Sequence, residues 1–146
     1  MPKFEDISVG QWVETSTPIT RQLILEFSRV IGDDNPVHFD ERFARDQTFF
    51  RRCVAHGMIS ASLITASLGS QLPGHGTILL SQDLKFLSPV YPDDTVTVRL
   101  EVLEKEEVTQ KIKLKTTVVN QKGTLVIDGH VWVMQRLPKI HAYQKP

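Results

Sequence analysis

Within the segment Arg21 to Ile31, the apolar residues Leu23, Phe27, Val30 and Ile31 fall at intervals of i, i+4, i+7 and i+8. That period places them on one face of a helix, with Arg21, Gln22, Glu26 and Arg29 mostly elsewhere. Thr20 supplies an N-cap and Gly32 a left-handed C-terminal stop. Before this helix, Gln11 to Thr17 alternates weakly around Trp12 and Val13, which predicts a short strand ended by Pro18. Phe4 to Gly10 reads as a leading loop. Beyond Gly32, Asp40 is placed to cap a short helix reaching Asp46, with Phe39 and Phe43 four apart. Thr48 to Val54 reads as an irregular connection.

A different pattern runs from about His56 to Leu72. Its interior, Met58 to Gly69, contains no Asp, Glu, Lys or Arg, and small residues are spread around the helical wheel. A helix without a charged face is expected to be buried on most sides, here against a sheet that approaches it closely. From Gly76 the period changes. Thr77 to Leu87 holds short alternating and apolar pieces, and Val96, Val98, Leu100 and Val102 alternate without a break. Ile112, Leu114, Thr116 and Val118 repeat that alternation, Asn120 to Gly123 forms a hairpin turn, and Val126 to Met134 supplies another strand. Strands segregated from helices predict an α+β fold in which an antiparallel sheet wraps a long central helix. The chain reads as one domain over residues 1–146, with 138–146 a frayed polar tail.

Composition narrows the functional classes. The 146 residues carry 17 Lys plus Arg against 17 Asp plus Glu, so no basic excess points to nucleic acid. Cys53 is the only cysteine, which excludes an intrachain disulfide and fits a reducing, cytoplasmic setting. The N-terminus has no apolar signal core, and no apolar run reaches the length of a membrane span.

The candidate chemistry is concentrated between Gly32 and Gly57. Pro36 fixes its own φ and pushes Asn35 away from helical geometry, so Asp33 and His38 are expected on a stiff, non-helical loop. A carboxylate and an imidazole held there are able to orient and activate a water. The same residue types also suit a self-bonded turn with a surface histidine, and by themselves they favour that simpler reading. His56-Gly57 stands at the start of the uncharged helix, where free N–H groups and the helix dipole favour developing negative charge; a glycine kept for packing explains it equally well. Ser62 and Thr65 lie on that helix; such hydroxyls usually bond back to the preceding turn. Cys53 and His56 have Cys-x-x-His spacing but no second pair, so no metal site is expected.

Taken together, these residues resemble the MaoC-like hydratases of the hot-dog fold, the (R)-specific enoyl-CoA hydratase (hydratase 2) group. The resemblance rests on Phe27-x-x-Val30-x-Gly32-Asp33-x-Asn35-Pro36-Val37-His38-x5-Ala44, on Val54-Ala55-His56-Gly57-Met58 and on Gln71-Leu72-Pro73-Gly74. It extends through Gln82-Asp83-Leu84-Lys85-Phe86-Leu87-Ser88-Pro89-Val90, covering about Phe4 to Pro138. It implies a hot-dog sheet around the central helix, an edge-to-edge homodimer and reversible hydration of trans-2-enoyl thioesters to (R)-3-hydroxyacyl thioesters. Asp33 and His38 take the catalytic positions, the Gly57 N–H that of the carbonyl-binding donor, and Asn35, Thr65 and Ser62 supporting positions. No metal or redox cofactor is implied; the CoA or acyl-carrier phosphopantetheine arm belongs to the substrate. The settings implied are fatty-acid and polyhydroxyalkanoate metabolism. Other readings within reach are a 3-hydroxyacyl-carrier-protein dehydratase, a hot-dog acyl-CoA thioesterase and a non-catalytic acyl-thioester-binding dimer. The apolar helix and the loops around Leu68 to Leu72 are expected to line the acyl tunnel. Ile31 departs from the motif, standing where the family usually has a small residue, and is expected to alter the packing of the loop.

Overall fold

The computed structural model describes residues 3–135; the tail expected over 138–146 lies outside them. Strand β1 (Trp12–Pro18) precedes α1 (Arg21–Ile31), the short α2 (Glu41–Gln47) and the long α3 (Gly57–Ser70). Four strands follow: β2 (Thr77–Phe86), β3 (Thr95–Glu106), β4 (Lys111–Asn120) and β5 (Leu125–Gln135). They form one antiparallel sheet in the order β1-β3-β4-β5-β2, which leaves β1 and β2 at the edges. Bulges at Leu79/Ser81, Val102/Glu104 and Val118/Val119 interrupt the ladders, and bulges of this kind bend and twist a sheet.

The alternation in the strands becomes the inner face of the sheet. Val96, Val98, Leu100 and Val102 of β3, and Ile112, Leu114 and Val118 of β4, are buried in one cluster with Ile59, Ala61, Ile64 and Leu68 of α3. Fully burying a side chain such as Ile64, Leu100 or Leu114 stabilises the fold by about 1.5–3 kcal/mol. Truncating one of them to Ala costs more, roughly 2–5 kcal/mol, because a cavity is left behind. Thr116 breaks the apolar series: it is fully buried, and its hydroxyl has no hydrogen-bond partner among the described residues.

Several sequence expectations are corrected in detail. Phe4–Asp6 forms a 3-10 turn with Phe4 buried, so the leading segment is docked onto the core. Thr77 to Phe86 is one continuous strand. The inward stripe of α1 is rotated from the expected one: Ile24 and Ser28 are buried and Leu23 and Phe27 half-buried, whereas Val30 is 84% exposed. Ser28 turns inward because its hydroxyl is bound to the following loop, a polar demand that a search for apolar periodicity misses. Helix α3 buries only one side; Met58, Ser62, Thr65 and Ala66 are exposed.

Candidate active site

The site begins at the C-terminus of α1. Gly32 adopts φ 74°, a left-handed conformation that glycine takes without steric penalty. The Gly32 and Asp33 N–H groups both donate to the Ser28 carbonyl, at 2.8 and 3.1 Å, and the Ser28 hydroxyl donates to the Asp33 carbonyl. Asp33 Oδ1 then accepts from the Asn35 N–H at 2.9 Å, and Asn35 Oδ1 accepts from the Val37 N–H at 3.2 Å. These are the local turns to which Asp and Asn are suited. Pro36 opens a single 3-10 turn, Pro36–His38, so His38 stands on a short helical turn and not on wholly irregular backbone. Asp40 closes the segment by accepting from Arg42 and Phe43 at the start of α2. Ile31 ends α1 half-exposed.

Three polar side chains converge beyond this frame. His38 Nδ1 lies 2.7 Å from the Val54 carbonyl, which can only accept; Nδ1 therefore carries a hydrogen and Nε2 of the neutral ring is the free lone pair. His38 Nε2 is 3.8 Å from Asp33 Oδ2. His56, the residue before α3, stacks on His38 with ring centroids 3.6 Å apart and planes inclined by 22°. Its Nε2 is 3.5 Å from Asp33 Oδ2, and Phe27 packs on the ring at 5.4 Å. The Asp33 carboxylate remains about one-third exposed while His38 is mostly buried, so the pair meets solvent on the carboxylate side. Burial first, and then the neighbouring His38, push the His56 pKa down; Asp33 partly opposes them. Burial and the stacked imidazole thus favour the neutral form of His56.

Gly57 opens α3, where first-turn N–H groups have no partner within the helix. A cavity of about 370 Å³ adjoins it, lined by Val54, Ala55, Gly57, Ser60, Phe86 and Val90 among others. That volume and mainly apolar wall suit a small-molecule site. Phe86 crosses closely over Gly57: a Cβ there would stand 3.0 Å from the Phe86 ring. Leu68 and Leu72, near which the acyl tunnel was expected, are core residues, and the cavity beside Gly57 lies at the opposite end of α3. Ser62 Oγ donates back to the Met58 carbonyl and Thr65 faces solvent, so within one chain neither is gathered to Asp33 and His38. Ser60 is the α3 hydroxyl residue at the cavity.

Asp33, His38 and His56 are also the group of described residues whose ligand atoms lie close enough together, within 4.8 Å, to suggest a cation. The stacking speaks against one. Nearly parallel rings send their nitrogen lone pairs side by side, whereas ligands to one ion must point at a common centre. Cys53 does not join the group; it is buried, and burial together with Glu41 pushes its thiol pKa up, the wrong direction for a nucleophile.

Two contributors escaped the sequence. In the sequence His56 stands out only by its spacing to Cys53, its place before Gly57 and its membership of the Val54-to-Met58 motif, and nothing assigns a role to it or to Ser28. The available signal for Ser28 was a small hydroxyl residue within an apolar helix, four positions before its glycine stop.

The MaoC-like domain family matches residues 6–124. An (R)-specific enoyl-CoA hydratase of Rhodospirillum rubrum is 39% identical over 131 residues, covering 90% of each chain. A 3-hydroxybutyryl-CoA dehydratase of Methylorubrum extorquens is 37% identical over 136 residues, covering 93% of this chain and 84% of the relative. The solved structure of the (R)-hydratase from A. caviae involved in PHA biosynthesis superimposes with a TM-score of 0.86 at 36% identity, covering 90% of this chain and 99% of that one. The sheet wrapped on α3 is accordingly the hot-dog fold, and the chain belongs to the MaoC-like domain family.

Proposed function

We propose that the protein is an (R)-specific enoyl-CoA hydratase, a hydro-lyase that adds water reversibly to trans-2-enoyl thioesters. The observation that carries this reading is the 3.8 Å between Asp33 Oδ2 and His38 Nε2, with His38 fixed from behind by the Val54 carbonyl. One water held by both groups satisfies the free lone pair of the imidazole and the open oxygen of the carboxylate.

In the forward direction the substrate carbonyl accepts from the Gly57 N–H. Water oxygen forms its bond to C3, and the π electrons move through C2 onto the thioester oxygen, where that N–H and the α3 dipole stabilise them. The proton leaving the water passes to the Asp33–His38 pair, and a proton from the same pair is delivered to C2 as the enolate collapses. The two groups exchange protons as a unit and are not assigned separate acid and base roles. Asn35 holds the Asp33 turn. Hydration changes no net oxidation state, so no redox cofactor is required, and the Gly57 N–H takes the carbonyl-polarising role a metal would otherwise fill; the CoA or carrier arm arrives with the substrate. The reverse reaction dehydrates a 3-hydroxyacyl thioester at the same atoms.

The working form is a homodimer joined along β2. The supporting feature is an open sheet edge on which Ile78, Leu79 and Leu80 are all exposed, together with Met58 on the solvent side of α3. Contiguous apolar residues on a strand with one open edge call for a partner. Any supporting role for Ser62 and Thr65 then belongs to the assembled dimer. Among the described residues no helix is long and apolar enough to cross a membrane, and a cytoplasmic enzyme of fatty-acid or polyhydroxyalkanoate metabolism fits the lone reduced Cys53.

The test is crotonyl-CoA hydration with the product resolved by chirality. The (R)-3-hydroxy product is expected without free CoA, and Asp33→Asn or His38→Gln is expected to lower kcat on the order of 10²–10⁴-fold. Released CoA would mark a thioesterase, and full activity in both variants would refute the assigned pair. Exhaustive chelation should leave the rate unchanged, and sedimentation at micromolar concentration should show two chains.

A further inference from the structure

His56 is the one strongly buried titratable side chain at the site that the proposed mechanism leaves without a task. It is 5% exposed, and neither ring nitrogen has a hydrogen-bond partner among the described residues. A buried imidazole N–H without an acceptor is costly, on the order of 1–3 kcal/mol, and a packing role alone is filled more cheaply by Phe or Leu. Asp33 Oδ2 stands 3.5 Å from Nε2, slightly beyond ordinary hydrogen-bond range. The other carboxylate oxygen, Oδ1, is already bound to the Asn35 N–H. The titratable groups that meet His56 are Asp33, on the loop after α1, and His38, on the 3-10 turn; Phe27 and Phe39 also lie near its ring and are uncharged.

We propose that His56 is a positioning residue for the hydration reaction: its Nε2–H donates to Asp33 Oδ2 and fixes the carboxylate plane against His38. This rests on the hydratase reading above. The two donors then reach the carboxylate from different sides, Asn35 from its own turn and His56 from the start of α3. The helix that supplies the Gly57 N–H thereby also registers the carboxylate, because His56 and Gly57 are adjacent in the chain. A shift of α3 moves the carbonyl donor and the acid together. The stack on His38 has a second effect. The His56 ring, 3.6 Å from His38, supports it sterically, and its burial disfavours a second positive charge beside His38.

The experiment separates donor from filler. His56→Phe keeps a ring in the stack but has no N–H; His56→Gln keeps a donor near the ε position; His56→Asn places one only near the δ position. For crotonyl-CoA, His56→Phe is expected to lower kcat on the order of 10- to 100-fold with KM changed less than about threefold, as suits loss of one hydrogen bond to a charged group. The acidic limb of its kcat–pH profile should move to higher pH. His56→Gln should recover most of the loss and His56→Asn less. Equal rates for Phe and Gln, or Asn at least as active as Gln, would overturn the proposal, and the Gln–Asn comparison stands even if the Phe variant does not fold. An activity-independent readout keeps the proposal distinct from the hydratase reading. The His56 ring N–H should give a slowly exchanging, downfield proton resonance in the intact protein, and Asp33→Asn should shift it. A rapidly exchanging His56 N–H that is indifferent to Asp33→Asn would refute the bond whatever reaction the protein catalyses.

Discussion

Replacing Gly129 by Ala tests how β2 is held on the sheet. Gly129 lies in β5 between Leu84 of β2 and Thr116 of β4. A methyl at its Cβ position would stand 2.1 Å from the Asp83 carbonyl oxygen, 2.8 Å from Leu84 Cδ2 and 3.0 Å from Leu84 Cα. The first and third are backbone atoms, which no rotamer change can withdraw. Restoring ordinary contact means moving β2 away by roughly 1 Å or more, enough to break the ladder bonds beside Leu84. Overpacking of this kind costs about 1–3 kcal/mol, and each lost ladder bond about 1 kcal/mol, so a loss of about 2–4 kcal/mol is expected. For a chain of this size that lowers Tm by roughly 6–12 °C. The matched control is Gly69→Ala: Gly69 is inside α3 with nothing within 4 Å of its Cβ position, and there the methyl should stabilise by about 0.5–1 kcal/mol. Urea unfolding of both variants at one fixed protein concentration gives the two free energies. If Gly129→Ala is as stable as the parent, or both variants change with the same sign, the steric reasoning is wrong.

Other expectations follow from single contacts. Thr116→Val removes a buried, unpartnered hydroxyl at nearly constant volume and should be neutral or stabilising by about 1 kcal/mol in urea unfolding; a clear loss would mean the hydroxyl is satisfied after all. Glu41 is held below the usual carboxylate range chiefly by the Cys53 N–H and then by Arg21. Because its folded pKa is depressed, the stabilisation is present above the unfolded value of 4.5 and is lost as pH falls through the folded one; Glu41→Gln should therefore lower stability at neutral pH and flatten the acid limb, its curve meeting that of the parent at acid pH. Gly57→Ala sets a methyl 3.0 Å from the Phe86 ring, which is half-exposed and free to swing aside. The fold should tolerate it, while KM for an enoyl-CoA rises because the displaced ring enters the cavity; an unchanged KM would remove Phe86 from the binding wall.

The sequence disclosed local features better than meetings between distant ones. Thr20, Asp40 and Gly32 cap their helices as their chemistry requires, because a cap depends on residues within one turn. The alternation at Val96 to Val102 and Ile112 to Val118 reports burial directly, since a strand has only two faces. The Asp33–His38 pair was legible because a proline-stiffened turn brings both residues to one place. The stack of His56 on His38 was not legible, because it depends on how the segment before α3 folds back onto the 3-10 turn, a tertiary event with no period. Ser28 and the position of the cavity were missed for related reasons. Ser28 is buried by a hydrogen bond and not by its own apolarity, and the cavity takes walls from Val54, Phe86 and Val126, which only the folded sheet assembles.

The bond network of the Asp33 loop has an evolutionary consequence. The hydrogen bonds that shape it link residues close in sequence, the longest-range side-chain one being His38 to Val54 at a separation of 16. The cavity wall is shared: Val54, Ala55 and Gly57 come from the segment beside His38, whereas Phe86 to Val90 and Val126 come from the end of β2, its following loop and the start of β5. Substitutions around Phe86 to Val90 or at Val126 therefore reshape what the pocket admits without passing through the segment that holds the reactive groups. If the cavity takes the acyl chain and Asp33 and His38 the water, as proposed, a lineage changes its acyl preference by drift on the sheet side while its chemistry stays intact, a modularity that arises from where the chain places its short-range bonds.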